Sequence, residues 1–388
     1  MIYEETHPHL KFTINLSHAP SRFWLLLGEA KSKCEHISGV PLAPEVATKL
    51  HTVLLAKGVH ATTAIEGNTL SVEEVQKRIE GRLALPPSKA YQGIEIDNVI
   101  SGFHTLLARI DDPDFELLTV ERIQEYNRVI LGGLELQDGV IPGQIPFHNV
   151  GVAGYLAPPR QECSHLLAKL CAWLNQPAFI PNDDMRVPFG IVRAILAHLY
   201  LAWIHPFGDG NGRTARMLEV QILLAAGLPT AAAHLLSNHY NDTRAEYYRQ
   251  LEKSSKLAGD PWDFLEYALQ GLIDGLKAHL AEIRAYQHEI IWHEFIYSHF
   301  KEPDTAVSRR RKRLMLALSD TTEPVPVSRI KVLTPDVYQD YAGKTLRTLH
   351  RDVQELSALG LVAVSREGVT ANKDLILSFL PLKRRAAI

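Results

Sequence analysis

Three cysteines in 388 residues, Cys34, Cys163 and Cys171, are too few and too scattered for a disulfide framework or a close-paired zinc site, which leaves reduced structural thiols. An excess of one charge is missing too: 41 Lys and Arg against 44 Asp and Glu give a formal net charge of −3, which does not suggest a generic polyanion binder and leaves local patches open. No run reaches the ~18 consecutive apolar residues of a membrane span. The stretch Met1 to Ser17, broken by Glu4, Glu5, His7 and Lys11, lacks the basic start and apolar centre of a signal peptide. The expectation is a cytoplasmic protein without membrane contact. Internal repeats and low-complexity segments are lacking as well.

What is present is a 46% hydrophobic content over a length that one core seldom organises, so two or three domains are expected. From Pro44 to Ile65 apolar residues recur at helical spacing, and Gly67 with Asn68 stops the pattern, so a helix should end near Glu66. Ser71 with Glu74 forms a capping box for the next helix, and Ile94 to Ile110 and Val120 to Leu131 continue the helical pattern. Gly139 to Pro159 differs: apolar residues including Phe147, Val150 and Tyr155, broken by glycines and prolines, read as a short hairpin with exposed edges. Helices return at Glu162 to Leu174, Val187 to Ile204, Thr214 to Ala226, Tyr240 to Leu257 and Pro261 to Phe300, with a turn at Lys301 to Ala306. The boundaries that follow are a helical region over 1–110, a core over 111–260, connecting helices over 261–304 and a separate tail over 305–388. In that tail, helix, proline turn, short helix, helix from Gly343 to Leu359 and an alternating segment suggest a winged helix-turn-helix.

The run His205 to Arg213 carries the chemistry. Gly208, Gly210 and Gly212 let backbone amides converge on an anion in front of a helix N-terminus. A carboxylate there, Asp209, makes sense if a divalent cation, magnesium by preference, bridges it to phosphates. Arg213 and Arg216, three apart, can reach separate phosphate oxygens, and His205 can take a proton from an incoming hydroxyl. Phe207 reads as a core anchor under the loop.

This run resembles the signature of the Fic family, H-P-F-x-D/E-G-N-G/K-R, at every constrained position. The resemblance extends over about Val46 to Leu257 and implies a mainly all-α fold, a helical core with a hairpin flap that aligns a target chain by strand addition. It implies His205 as general base, Asp209 as Mg2+ ligand, and a nucleotide-binding set of Phe207, Gly208, Gly210, Asn211, Gly212, Arg213 and Arg216. The implied reaction is transfer of AMP from ATP to a Ser, Thr or Tyr hydroxyl of a target protein. Thr62 to Gly67 is similar to the family's inhibitory motif, with Glu66 opposing Arg216 and Thr62 as its first residue. His239 to Tyr248 is similar to the segment that lines the base pocket, where Tyr240 and Tyr247 either stack on adenine or pack in the core. Two other readings keep the same residues: removal of AMP from a modified protein, with Glu66 orienting water, and a DNA-binding regulator with a nucleotide-sensing core. For Arg309 to Arg313, with Lys344, Arg347 and Arg351, DNA contact through the tail is conceivable, but such a charge run is usually a solvated face, and winged-helix tails also serve homodimerisation or docking.

Overall fold

The computed structural model describes residues 2–146, 149, 151–152, 155–180, 182–256 and 259–379. It divides into two compact units, Met1–Ala281 and Glu282–Ile388. Phe147, Val150 and Gly154 of the expected hairpin, and Leu257, lie outside the described residues.

The first unit begins with α1 (Ile2–Thr6) and α2 (Ser21–Gly39). The sequence reading had not singled out α2, although Phe23, Leu26, Leu27, Ala30, Cys34 and Ile37 form a buried stripe at helical spacing. Next come α3 (Pro44–Ala64), α4 (Val72–Ile79), α5 (Ala90–Ala108) and α6 (Val120–Ile130). Proline at the first position starts α3, and Gly67, at φ +103°, turns the chain away just after it in a conformation a side chain would resist. Both halves of the Ser71–Glu74 capping box are formed at the start of α4. A two-residue antiparallel ladder, β1 (Gly151–Val152) with β2 (Tyr155–Leu156), is all the strand that the 139–159 segment contributes among the described residues.

Then follow α7 (Arg160–Leu174), α8 (Asp183–Ile204) and α9 (Asn211–Ala225). α8 is apolar enough in composition to cross a membrane, yet the other helices cover 83% of its apolar window, so it serves as the central core helix. It packs along α9, and α9 in turn packs on α3, α5 and α6, so four helices meet on α9, which follows the α8–α9 loop. The expected single helix from Tyr240 breaks at Thr243 into α10 (Leu235–Asp242) and α11 (Arg244–Lys256). The Thr243 hydroxyl donates to the His239 carbonyl, competing locally with helix continuation without any glycine or proline. The three cysteines are buried and unpaired; burial pushes their thiols to about 12, 11 and 12 in chain order, well outside the reactive range.

The helix α12 (Trp262–His299) runs from the first unit into the second. The second unit continues with α13 (Ala306–Ser319), α14 (Val327–Ile330), α15 (Pro335–Tyr341), α16 (Leu346–Ala358) and the antiparallel pair β3 (Val362–Val364) and β4 (Val369–Ala371), to which Val325 adds a bridge at Val369. Its own core is built on Trp292, Leu314, Leu318, Ile330, Leu349, Leu356 and Leu361.

The arginine run at the start of α13 is not a free basic face. Arg309 pairs with Asp304, Arg310 and Arg311 with the fully buried Asp352, and Arg313 with Asp340, while the Lys312 ammonium lies 5.2 Å from the Tyr297 ring centre. Arg310 and Arg311 fasten the interior through Asp352, while Arg309 and Arg313, 49% and 42% exposed, are paired on the surface, so of the readings of Arg309 to Arg313 that of a free basic face for DNA is the one least supported. Lys344, Arg347 and Arg351 remain exposed.

Candidate active site

The loop between α8 and α9 is shaped by residues at its two ends. His205 caps α8 in the left-handed region, at φ 47° and ψ 55°, an uncommon conformation for a residue with a side chain, and Gly210 caps α9 at φ +75°. Between them the Asn211 amide closes the loop on itself: its Oδ1 accepts from Phe207 N at 2.9 Å and its Nδ2 donates to Phe207 O at 2.7 Å. Asn211 was expected among the phosphate-cradling residues; its side chain is engaged in holding the cradle's shape. Phe207 is 1% exposed and anchors the loop from below.

Burial draws the His205 imidazole below its usual 6.5, against the Ala202 carbonyl and the charges of Glu66 and Asp209, so the ring is neutral at pH 7 and available as a base. Asp209 accepts from Gly210 N and stands 3.2 Å from Arg213 Nη2, while 43% of its side chain is open. Arg213 and Arg216 sit on the first turns of α9, both buried. Arg213 Nη1 meets Glu95 Oε1 at 2.7 Å. Arg216 is fixed by α3: its Nε donates to Thr62 Oγ1 at 2.6 Å, and its Nη2 donates to Thr62 O at 2.9 Å and to Glu66 Oε1 at 2.5 Å. Arg213 Nε and Arg216 Nη1 are buried without a partner.

Glu66 lies at the mouth of the site. Burial pushes its carboxyl up, but Arg216, by charge and by hydrogen bond, and then Arg213 and Arg244 together hold it below the usual carboxylate value, so it is ionised at neutral pH. Its Oε1 rests against the bare Cα of Gly212; a Cβ there would collide with it and approach Arg216 Nη1 to 3.1 Å. The glycine at 212 is what lets a carboxylate, or any other anion, come this close to α9.

Tyr240 is corrected. Its ring is wholly buried, its hydroxyl donates to Glu219 Oε1 at 2.9 Å, and burial and that carboxylate push it far above the ordinary tyrosine value, so no face is left for an adenine. Tyr247 stacks on it at 4.8 Å and shares its hydroxyl with His198 Nε2 at 2.9 Å. Both are core residues of the wall behind Arg216.

Two residues of the site, Glu95 and Asn127, are not marked by the sequence, nor is the bond that Asn68 makes to the first of them. Glu95 on α5 pairs with Arg213 and also accepts from Asn68 Nδ2 at 3.0 Å, which ties the stretch just past Glu66 to the other arginine. Burial first of all raises the Glu95 carboxyl. Asn127 on α6 is fully buried with its amide in contact with the loop. Glu95 and Asn127 are two polar residues among several in their helices, and nothing in the local sequence announces a partner so far along the chain.

Fold and loop together define a mainly helical protein with an anion-receiving turn, a neutral histidine and two buried arginines between its central helices. Residues 117–223 match the model of the Fic/DOC family, and this chain carries a Fic domain. The chain is 28% identical over 233 residues to protein adenylyltransferase fic-1 of Caenorhabditis briggsae, covering 60% of this chain and 43% of that one. It is 26% identical over 231 residues to protein adenylyltransferase Fic of Nematostella vectensis, covering 59% and 49%. The matches therefore span less than half the length of these relatives. Among solved structures, a Fic family protein from Desulfovibrio desulfuricans G20 shares the fold over 90% of this chain and 92% of that one, with a TM-score of 0.56 at 21% identity. The 134–508 fragment of Fic-1 from Caenorhabditis elegans does so over 69% and 74%, with a TM-score of 0.55 at 23% identity. Glu66 and Glu95 lie outside the stretch matched by the family model.

Proposed function

We propose that the chain is a protein adenylyltransferase, which binds ATP and transfers AMP to a Ser, Thr or Tyr hydroxyl of a protein, with pyrophosphate leaving. The observation that carries this reading is the pair of buried guanidinium groups beside a neutral histidine: each is held by a carboxylate yet keeps one buried N–H donor without a partner, at the start of a helix whose first amides also face the loop. Oxygen-rich, partly open Asp209 suits a hard divalent cation, so Mg2+ would be held there and would neutralise phosphate charge. His205 removes the proton from the acceptor hydroxyl as that oxygen attacks the α-phosphorus, and the bond from the α-phosphorus to the bridging oxygen breaks. Arg213 and Arg216 hold the departing β- and γ-phosphates.

Glu66 restrains this reaction. It occupies the Arg216 donor that a γ-phosphate would use, and its charge repels a phosphate in a confined place. The test is intact-protein mass spectrometry after incubation with ATP and Mg2+. Glu66→Gly should gain one AMP mass at least about tenfold faster than the parent, ~1.4 kcal/mol at the barrier. His205→Ala in that background should lose about 100-fold or more while still binding ATP. If Glu66→Gly binds ATP and labels no faster than the parent, the restraint is refuted; if the parent strips AMP from a modified protein and Glu66→Gly cannot, the reverse reaction is the better description.

For the tail, the order of helices and the α16–β3–β4 hairpin support a winged-helix reading. Its exposed Lys344, Arg347 and Arg351 support duplex contact.

A further inference from the structure

The chain around the β1–β2 pair is fastened at two points to backbone carbonyls at the catalytic loop, one through Gly143 ahead of the pair and one through Tyr155 within it. On the incoming side, Asn127 uses its whole amide. Its Oδ1 accepts from Gly143 N at 2.9 Å, while its Nδ2 donates to Asp209 O at 2.9 Å and to Thr214 Oγ1 at 3.2 Å. Both backbones are pressed onto α6 at this point. A Cβ on Gly143, which lies at φ +76°, would meet Gln124 O at 2.7 Å, and one on Gly210 would meet Asn127 Nδ2 at 3.0 Å. One residue into the loop, Gly208 lies against the Val140 side chain. On the outgoing side, the Tyr155 hydroxyl donates to Trp203 O at 2.7 Å, two residues before His205. That leaves His9 Nε2, 3.1 Å away, as the donor to the Tyr155 oxygen; burial draws the His9 ring down to about 4, so it is neutral.

We infer that Asn127 and Tyr155 are positioning residues which set the distance between the hairpin edge and His205, and so decide whether a docked protein hydroxyl, rather than water, reaches the α-phosphate. The inference rests on the adenylyl-transfer reading and goes beyond it. An acceptor that pairs with the hairpin edge inherits the hairpin's position, so its hydroxyl is placed by whatever places the hairpin. Water, which needs no docking strand, is indifferent to that position. The two tethers end on Trp203 O and Asp209 O, on either side of the base and, in the second case, on the backbone of the residue that would hold Mg2+, so a shift of the hairpin becomes a shift of acceptor against phosphate.

The test uses the full chain in the Glu66→Gly background and follows two products of ATP: AMP on the protein by intact mass, and free AMP with pyrophosphate released by water. Tyr155→Phe keeps the ring and loses only the tether; Asn127→Ala removes the other. Both should lower the ratio of protein labelling to AMP release by at least about tenfold, since a misplacement near 1 Å is enough for such losses. In Asn127→Ala, amide hydrogen exchange across 139–146 should also rise. A merely structural role would lower both products together and leave the ratio unchanged, which overturns the inference, as does an unchanged ratio with undiminished activity. A Glu66→Gly parent that neither labels nor releases AMP overturns the transfer reading instead. Hydrogen exchange then judges the tether by itself, and unchanged exchange across 139–146 in Asn127→Ala overturns it.

Discussion

Both units of this protein bury arginines against carboxylates, but they complete those pairs differently. In the second unit Asp352 is wholly enclosed and saturated: Arg310 approaches one oxygen at 2.7 Å, Arg311 the other at 3.0 Å, and the Tyr341 hydroxyl adds a third bond at 2.9 Å. No nitrogen of those two arginines is among the orphaned buried atoms. In the first unit Arg216 is as deeply buried, yet its Nη1 is unpartnered and its carboxylate, Glu66, is 30% exposed on a chain segment just past a helix end. A saturated pair inside a core is a fastening. An unsaturated pair with one partner at the surface leaves donors over, and under the proposed function those donors are the ones a phosphate would take in place of Glu66.

The sharpest way to break this comparison is to remove one carboxylate from each unit. Asp352→Asn leaves two guanidinium groups facing a neutral amide in the interior, and loss of one partner of a buried pair costs about 3–5 kcal/mol. Urea unfolding of the full chain should show that loss in the second unit, with no rescue by ATP. Glu66→Gly also leaves a buried arginine short of its anion, but here a phosphate can take the place. At ATP-Mg2+ concentrations near 100 times its Kd the variant should recover about 2.7 kcal/mol of stability, while the parent, whose Arg216 is already occupied, gains less. Equal gains in thermal-shift measurements on both proteins would show that Glu66 does not compete with the nucleotide.

The two carboxylates also respond to acid in the same direction. Burial raises Asp352, and Arg310, Arg311 and Tyr341 overcome it, so its pKa lies below the usual 3.8; Glu66 lies below 4.5 by the balance given above. A depressed carboxylate contributes stability that is present above its unfolded value and lost only as pH falls through its folded one. Neither pair should therefore loosen between pH 5 and 7, and any change in labelling rate there belongs to His205. Its imidazole is drawn below 6.5 chiefly by burial, and Glu66→Gly removes one of the charges that oppose this. In that variant the rate should hold as pH falls past 6.5 and decline only below it. An acid limb centred above 6.5 in a pH–rate profile would contradict a buried, neutral base.

How far the sequence discloses this arrangement depends on how local each part is. Base, acid, glycines and arginines fall within one loop and the first two turns of α9, so their spacing is readable, and the Thr62 to Gly67 stretch is readable against a resemblance. Thr62 turned out to fasten Arg216 through both its hydroxyl and its carbonyl. Glu95, Asn127 and the bond from Asn68 to Glu95 were illegible because each depends on a partner brought near only by the packing of the helices. Tyr240 was misplaced for a related reason: an aromatic at helical spacing looks the same whether it faces a ligand or a core, and only its bond to Glu219 decides. The arginine run of α13 read as a surface because its four acidic partners, Asp304, Asp340, Asp352 and Glu355, are mostly distant in sequence.

That run sets up the smallest effect. Arg313 is held by Asp340 in a bidentate pair, whereas Arg347 and Arg351 on α16 are exposed and have no carboxylate partner among the described residues. A phosphate backbone approaching this unit would gain a counter-charge from the free arginines at no loss of an existing pair, but would have to displace Asp340 to use Arg313. If the tail contacts duplex DNA, Arg347→Ala should weaken retention and lower the slope of log affinity against log salt by about 1, the loss of one phosphate contact. Arg313→Ala should leave that slope unchanged, because its charge is already neutralised where it stands. Retention that depends on Arg313 and not on Arg347 would invert the assignment of which arginines fasten and which bind. A full chain that retains no duplex even at low salt would remove DNA from the tail's partners and leave α16 as a surface for protein.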